Sequence, residues 1–165
     1  MTDTVVDWVA HHAKTTPRKV ATIDLASGRR HDYAGMHDRV GRIAGFLHSA
    51  GIDRGDRVGR IALNSTDILD IIFATWRVGA VHLALNFRLT AAELAFIVGD
   101  AAPKLVFIDQ AFAGLKDALA PQNPDLRWVE LDGMGGDTEF EAVIAAARPR
   151  STMVEQKAAE QAMLM

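Results

Sequence analysis

The sequence predicts an α/β fold: a three-layer arrangement in which a mostly parallel sheet carries helices on both faces, preceded by a short helix and a hairpin. Two observations predict it. From Arg57 onward, short β-branched apolar runs alternate four times with segments of helical spacing. The connections between them are short and hold turn and cap residues, which is the pattern of repeated strand–helix–strand units.

The first elements are local. Asp7 to Thr16 reads as a short helix stopped by Pro17, because proline cannot continue a helix. Val20 to Leu25 and Arg30 to Tyr33 read as two strands joined at Ser27-Gly28. Met36, Val40, Ile43, Ala44 and Leu47 then recur at helical spacing, while Arg39, Arg42 and His48 fall elsewhere on the wheel. Ala34 to Ala50 is therefore an amphipathic helix, with Gly51 supplying the left-handed residue after its end.

The repeating part follows. RVGRIAL (57–63) is a strand, and Asn64 or Ser65 is placed to cap a helix that runs through Val78 to Gly79. Ile68, Leu69, Ile71, Ile72, Phe73 and Trp76 cover most of that helix, which implies burial on a broad face. AVHLAL (80–85) is the next strand, and Thr90 with Glu93 forms a T-x-x-E capping box for a helix reaching about Ala101. KLVFID (104–109), a helix over Gln110 to Leu119, RWVEL (127–131), a loop at Gly133 to Gly136 and a helix over Thr138 to Ala147 complete the alternation. Beyond Pro149 the sequence turns polar and rich in helix formers without a wide apolar face, so 151–165 reads as a linker or marginal helix attached to a 1–150 subdomain.

Composition narrows the function. With 165 residues, 49% hydrophobic, 24% charged and a net charge of −3, the chain has ordinary globular content and no basic footprint for nucleic acid. It has no cysteine, which removes disulfides, thiolate catalysis and cysteine-based zinc sites. No signal peptide opens it, and no uncharged stretch approaches the ~18 residues that span a bilayer, so a cytoplasmic location is expected.

Familiar catalytic strings are missing. There is no G-x-G-x-x-G after a strand, no P-loop and no G-x-S-x-G, which disfavours a nicotinamide dehydrogenase and a nucleophile-elbow hydrolase. The glycines at 51, 55 and 59 and at 133, 135 and 136 read as turn chemistry. The six histidines have no metal spacing, and His82 is expected as a satisfied core or edge residue. Arg54-Gly55-Asp56 reads as a tight turn, and Asn64-Ser65-Thr66 as a helix cap instead of a glycosylation site.

The stretch from Asn64 to Asp109 carries more. Asn64-Ser65, Gly79-Ala80-Val81, Asn86-Phe87-Arg88-Leu89, Glu93-Leu94 and Pro103-Lys104 through Asp109 follow one another in the order, and at about the spacing, of one known pattern. Upstream, Tyr33, Arg39, Ala44 and Leu47 and the turn GIDRGDRV extend it. Together they closely resemble the N-terminal subdomain of the adenylate-forming acyl-CoA synthetases, the AMP-binding ligases, over about residues 5 to 110 and more loosely beyond. The chain departs from the family at Ala84, where proline is usual, at Phe87, where proline or threonine is common, and at Gly35-Met36, where Glu-Leu is usual.

The resemblance implies a two-step ligase: MgATP and a carboxylate give an acyl-adenylate and pyrophosphate, and the thiol of coenzyme A then displaces AMP. In the family a strand after this subdomain runs into a YTSGTTGxPKG-type phosphate loop, and AMLM (162–165) looks like that strand. The nucleotide contacts, the acyl pocket and the lid lysine of the family all belong to later sequence. The chain is therefore expected to be an incomplete N-terminal part of a fatty-acid or aryl CoA ligase, inactive alone, with no catalytic or metal residue of its own. It would need ATP, magnesium and coenzyme A only as part of the whole enzyme. The alternative is a stand-alone, non-catalytic interaction module derived from the family.

One site residue follows from the resemblance. In some relatives the arginine of N-x-R-L touches a coenzyme A phosphate, which maps to Arg88, with Asn86 supporting its loop; the other reading is that both merely fix that loop. The chain is further expected to pair with the missing subdomains or with itself. In isolation, 150–165 is expected to be disordered or a loose helix.

Overall fold

The computed structural model describes residues 4–165. Helix α1 (Trp8–Thr15) starts at Asp7, whose carboxylate accepts the Ala10 amide at 2.9 Å. Strands β1 (Val20–Ile23) and β2 (Arg30–Asp32) form the antiparallel hairpin. Helix α2 (Tyr33–Ser49) is capped by Asp32 and ends at Gly51, whose φ of +77° is the left-handed conformation that glycine adopts without strain.

The main sheet contains β3 (Arg57–Ile61), β4 (Val81–Ala84), β5 (Leu105–Asp109), β6 (Arg127–Leu131) and β7 (Met163–Leu164). Their spatial order is β6-β5-β3-β4-β7, and every pairing is parallel. Helices α3 (Thr66–Arg77), α4 (Ala91–Ala101), α5 (Ala113–Leu119) and α6 (Glu139–Ala146) connect them. A single 3₁₀ turn over Gln110–Phe112 opens the α5 segment, where a continuous helix was expected from Gln110.

Strand alternation builds two cores. Val58, Leu105, Phe107, Val129 and Leu131 face α2, α3 and α6, packing against Val40, Ile43, Leu47, Ile71, Phe140 and Ile144. Ile61, Leu83, Leu85, Val106 and Ile108 face the other way, against Leu94 and Val98 of α4 and Leu119 of α5. The expected three layers are thus present, and β5 is buried along its whole length because both of its faces are covered.

Three expectations need correction. Ser65 occupies the N-cap position of α3 but makes no side-chain cap bond. The α3 amide of Thr66 is taken instead by Asp24 Oδ2, at 3.2 Å, from the far end of the hairpin. His82 is in the core, as expected, but it is not satisfied: it is fully buried and neither ring nitrogen has a partner among the described residues.

The tail is the third. Residues 150–165 form neither a helix nor a loose end but an extended strap that finishes as β7 on the edge of β4. Arg150 N donates to Gly41 O, Val154 N to Arg77 O and Val5 N to Gln156 O, at 2.8 to 3.0 Å. Gln156 Nε2 reaches Trp76 O, and Arg54 pairs with Glu160 and the Glu155 carbonyl. Ala162 O accepts both Trp76 Nε1, at 2.8 Å, and the His82 amide, at 3.0 Å. Helix propensity differs by only tenths of a kcal/mol per residue among these residue types. These anchoring contacts and the open edge of β4 outweigh it.

Candidate functional site

In an open parallel sheet, ligands sit at the carboxyl ends of the strands, near the point where successive helices change faces. Here α3 leaves β3 toward one face, while α4 and α5 leave the neighbouring β4 and β5 toward the other. The switch lies at β3, flanked by the loops after β3 and β4. Asn86 and Arg88 stand in the second of these loops, at the carboxyl end of β4.

The loop is locally determined. Asn86 Oδ1 accepts the Arg88 amide at 3.0 Å, and Asn86 O accepts the Leu89 amide at 3.1 Å, closing a tight turn. The capping box then starts α4: Glu93 Oε2 accepts Thr90 N and Thr90 Oγ1, each at 2.8 Å, and Thr90 Oγ1 accepts Glu93 N. Those bonds from Thr90 hold the Glu93 carboxyl below the usual range. Asn86 and Arg88 are both exposed. The Arg88 guanidinium lies 5.5 Å above the Phe87 ring and has no hydrogen-bond partner among the described residues. Phe87 in turn stacks on Phe112, at 4.8 Å and 17° between planes.

The second glycine loop at this edge is committed elsewhere. Asp132 accepts the amides of Met134, Gly135 and Gly136 at 2.8 to 3.0 Å. Burial pushes its carboxyl up, but those amides outweigh it and hold the group low. The amides of 134–136 therefore already face a carboxylate, and the loop cannot cradle a phosphate with them; its role is the expected turn chemistry.

The sequence reading missed the largest polar cluster. Arg39, placed on the outer part of the α2 wheel, points inward and donates to Asp67, Asp70 and Glu141 at 2.9 to 3.0 Å. Arg29 of the hairpin region adds a two-bond pair with Asp67 and donates to Gly133 O. Burial pushes Asp70 up to about 7 against the pull of Arg39, and Asp70 Oδ1 has no partner. The signal was there: two aspartates, Asp67 and Asp70, lie among Ile68, Leu69, Ile71 and Ile72 on a helix read as broadly buried, and buried carboxylates need cations. The cluster ties hairpin, α2, α3 and α6 together.

A further pair is equally buried. Arg77, with no exposed surface, donates to Asp7 at 2.9 Å and approaches His37 Nδ1 at 3.2 Å. On β3 the half-buried Arg60 has no carboxylate partner, so burial lowers its pKa. Neighbouring His82 is pushed down to about 4, by burial first and by Arg60 second. No helix among the described residues is long and apolar enough to cross a membrane.

A parallel sheet flanked by helices in this arrangement is the architecture of the N-terminal domain of acyl-CoA ligase structures. The family model described as AMP-binding enzyme matches residues 9–164, and the chain belongs to that family. It is 31% identical over 143 residues to the long-chain-fatty-acid–CoA ligase FadD13 of Mycobacterium tuberculosis, covering 86% of this chain and 28% of that protein. It is also 31% identical to the fatty acid–[acyl-carrier-protein] ligase ScoC of Streptomyces coeruleorubidus, over 74% of this chain and 23% of ScoC. The crystal structure of the N-terminal domain of FACL13 from Mycobacterium tuberculosis superposes with a TM-score of 0.86 at 26% identity, over 96% of this chain and 40% of that one. The chain thus spans less than half the length of each of these relatives.

Proposed function

We propose that this chain serves as the N-terminal subdomain of an acyl-CoA ligase that adenylates a carboxylic acid and transfers it to coenzyme A. Residues 1–150 form the scaffold, and 151–165 are the strap that carries the backbone to the phosphate loop of such an enzyme. The observation that carries the reading is β7. It pairs parallel to β4 through His82↔Met163 and Leu83↔Leu164, so its carboxyl end faces the same edge as Asn86 and Arg88. A loop following Met165 would stand where an open α/β sheet binds its ligand.

Alone, the chain is a scaffold without adenylation machinery. Adenylation needs cations and preorganised amides on the phosphoryl oxygens, and the glycine loop at this edge has spent its amides on Asp132. Arg88 is the residue suited to the second substrate: a planar fork of free donors matches a phosphate monoester, and the Asn86 turn fixes its backbone. Phe96, 77% exposed, marks apolar surface for the rest of the enzyme or for a second copy of the chain. The ligase reading places its work in the cytoplasm, where ATP and coenzyme A are available.

Two measurements test this. The isolated chain is expected to release no pyrophosphate from ATP with any member of a panel of fatty and aryl acids; turnover tracking the pure chain refutes the scaffold reading. A chimera carrying this segment in place of the matching part of the FadD13 ligase is expected to be active. In it, Arg88→Ala should raise the KM for coenzyme A about 10- to 100-fold and leave adenylation intact. An unchanged KM assigns Arg88 to loop structure alone.

A further inference from the structure

Arg88 is exposed and long, and such a side chain ordinarily samples many rotamers in water, losing binding energy each time it must be immobilised. Here it does not hang free. Its guanidinium carbon sits 5.5 Å from the Phe87 centroid, within the range of a cation–π contact. Phe87 stacks nearly parallel on Phe112, at 4.8 Å. Phe112 closes the 3₁₀ turn after β5, whose first residues are fixed by Asp109 accepting the Ala111 amide at 2.9 Å. Both rings are half-buried against the core of Leu94, Val98, Ile108 and Leu119. The ladder therefore runs from a rigid core, through two loops of different strands, to one guanidinium whose donors have no hydrogen-bond partner among the described residues.

We infer that Phe87 and Phe112 are positioning residues that preorganise Arg88 for a terminal phosphate monoester of a nucleotide substrate. The inference rests on the reading of Arg88 as the coenzyme A phosphate contact. A guanidinium held over a ring face has fewer rotamers to lose when its N–H groups engage two phosphate oxygens at once. The nearest acid in sequence, Glu93, is occupied by Thr90. Leucine at 87 would fill similar space against the core but offer no π face. Proline or threonine at 87 would leave Arg88 without a platform.

The test uses the 165-residue chain and adenosine 3′,5′-bisphosphate, the nucleotide end of coenzyme A; binding is followed in every variant by the backbone amide resonances of residues 86–90 in an NMR titration, and the Arg88 Nε–Hε resonance reports the ring contact where arginine is present. The wild-type signal should be shifted upfield by the Phe87 ring and should move on titration. Arg88→Ala should weaken binding about 10- to 100-fold. Phe87→Leu and Phe112→Leu should each abolish the ring shift and weaken binding about 2- to 10-fold, while Phe87→Trp, which keeps a π face, should bind as wild type does. Thermal melts identify any variant that fails to fold, and the Phe112→Leu and Phe87→Trp pair decides the question if Phe87→Leu is such a variant. Wild-type binding absent, or equal in Arg88→Ala, overturns the Arg88 reading and the inference with it. Weak binding by Arg88→Ala with normal binding by the leucine variants leaves the Arg88 reading standing and overturns the inference alone.

Discussion

Replacing His82 with leucine should make the chain more resistant to acid. The imidazole has no exposed surface, and neither nitrogen has a partner. Burial, helped by Arg60, lowers its pKa from the ordinary 6.5 to about 4. Above pH 6.5 the ring is neutral in both folded and unfolded chains and contributes no pH dependence. As pH falls below 6.5 the unfolded chain takes up a proton that the folded chain refuses until about pH 4. The folded state is therefore penalised progressively between those values. At pH 5 the unfolded ring is almost fully protonated and the folded ring about one-tenth, which amounts to about 2 kcal/mol relative to pH 7, rising to about 3 kcal/mol near pH 4. Asp70 titrates in the same range with the opposite sign, since its pKa is raised to about 7, so the wild-type profile by itself is ambiguous. The difference between wild type and His82→Leu removes the Asp70 contribution. Urea denaturation at pH 7, 6 and 5 should show the leucine variant at least as stable at pH 7, because two unsatisfied nitrogens are gone. Its advantage should grow by about 2 kcal/mol at pH 5, or roughly 4 to 8 °C in Tm. Parallel pH profiles for the two proteins would refute the argument.

Other outcomes follow from single contacts. Gly45→Ala should destabilise by about 1 to 3 kcal/mol in chemical denaturation, because a Cβ there would lie 1.9 Å from the Arg148 carbonyl; a neutral result would mean that the 148–150 segment is not seated on α2. Asp24→Ala should cost about 1 kcal/mol by removing the remote cap of α3, whereas Ser65→Ala, which loses no cap bond, should be close to neutral. Arg39→Met should cost about 3 to 5 kcal/mol, since Asp67, Asp70 and Glu141 lose a shared cation; a loss under 1 kcal/mol would show the cluster to be hydrated. Trp76→Phe should speed hydrogen exchange at Leu164 and in the strap without lowering protection in β3 or β5, because only the Ala162 carbonyl loses its indole donor.

What the sequence determined by itself was whatever adjacent residues decide. The Thr90–Glu93 capping box, the left-handed Gly51, the Ser27-Gly28 turn and the alternation of apolar strands with amphipathic helices are short-range, and each lies within a residue or two of its expected place. The order of matched motifs from Asn64 to Asp109 pointed to the family and to the Asn86–Arg88 loop. Tertiary structure decided the rest, wherever a partner comes from far along the chain. Asp24 caps a helix 42 positions away, and Arg39 is drawn inward by Glu141 at a separation of 102. Phe87 finds Phe112 only because β4 and β5 flank the same strand. The tail shows the physical reason most plainly. Its Ala, Glu, Gln and Lys content favours a helix by tenths of a kcal/mol per residue, but an unpaired edge of β4, with the Trp76 indole and Arg54 beside it, offers hydrogen bonds that propensity cannot see.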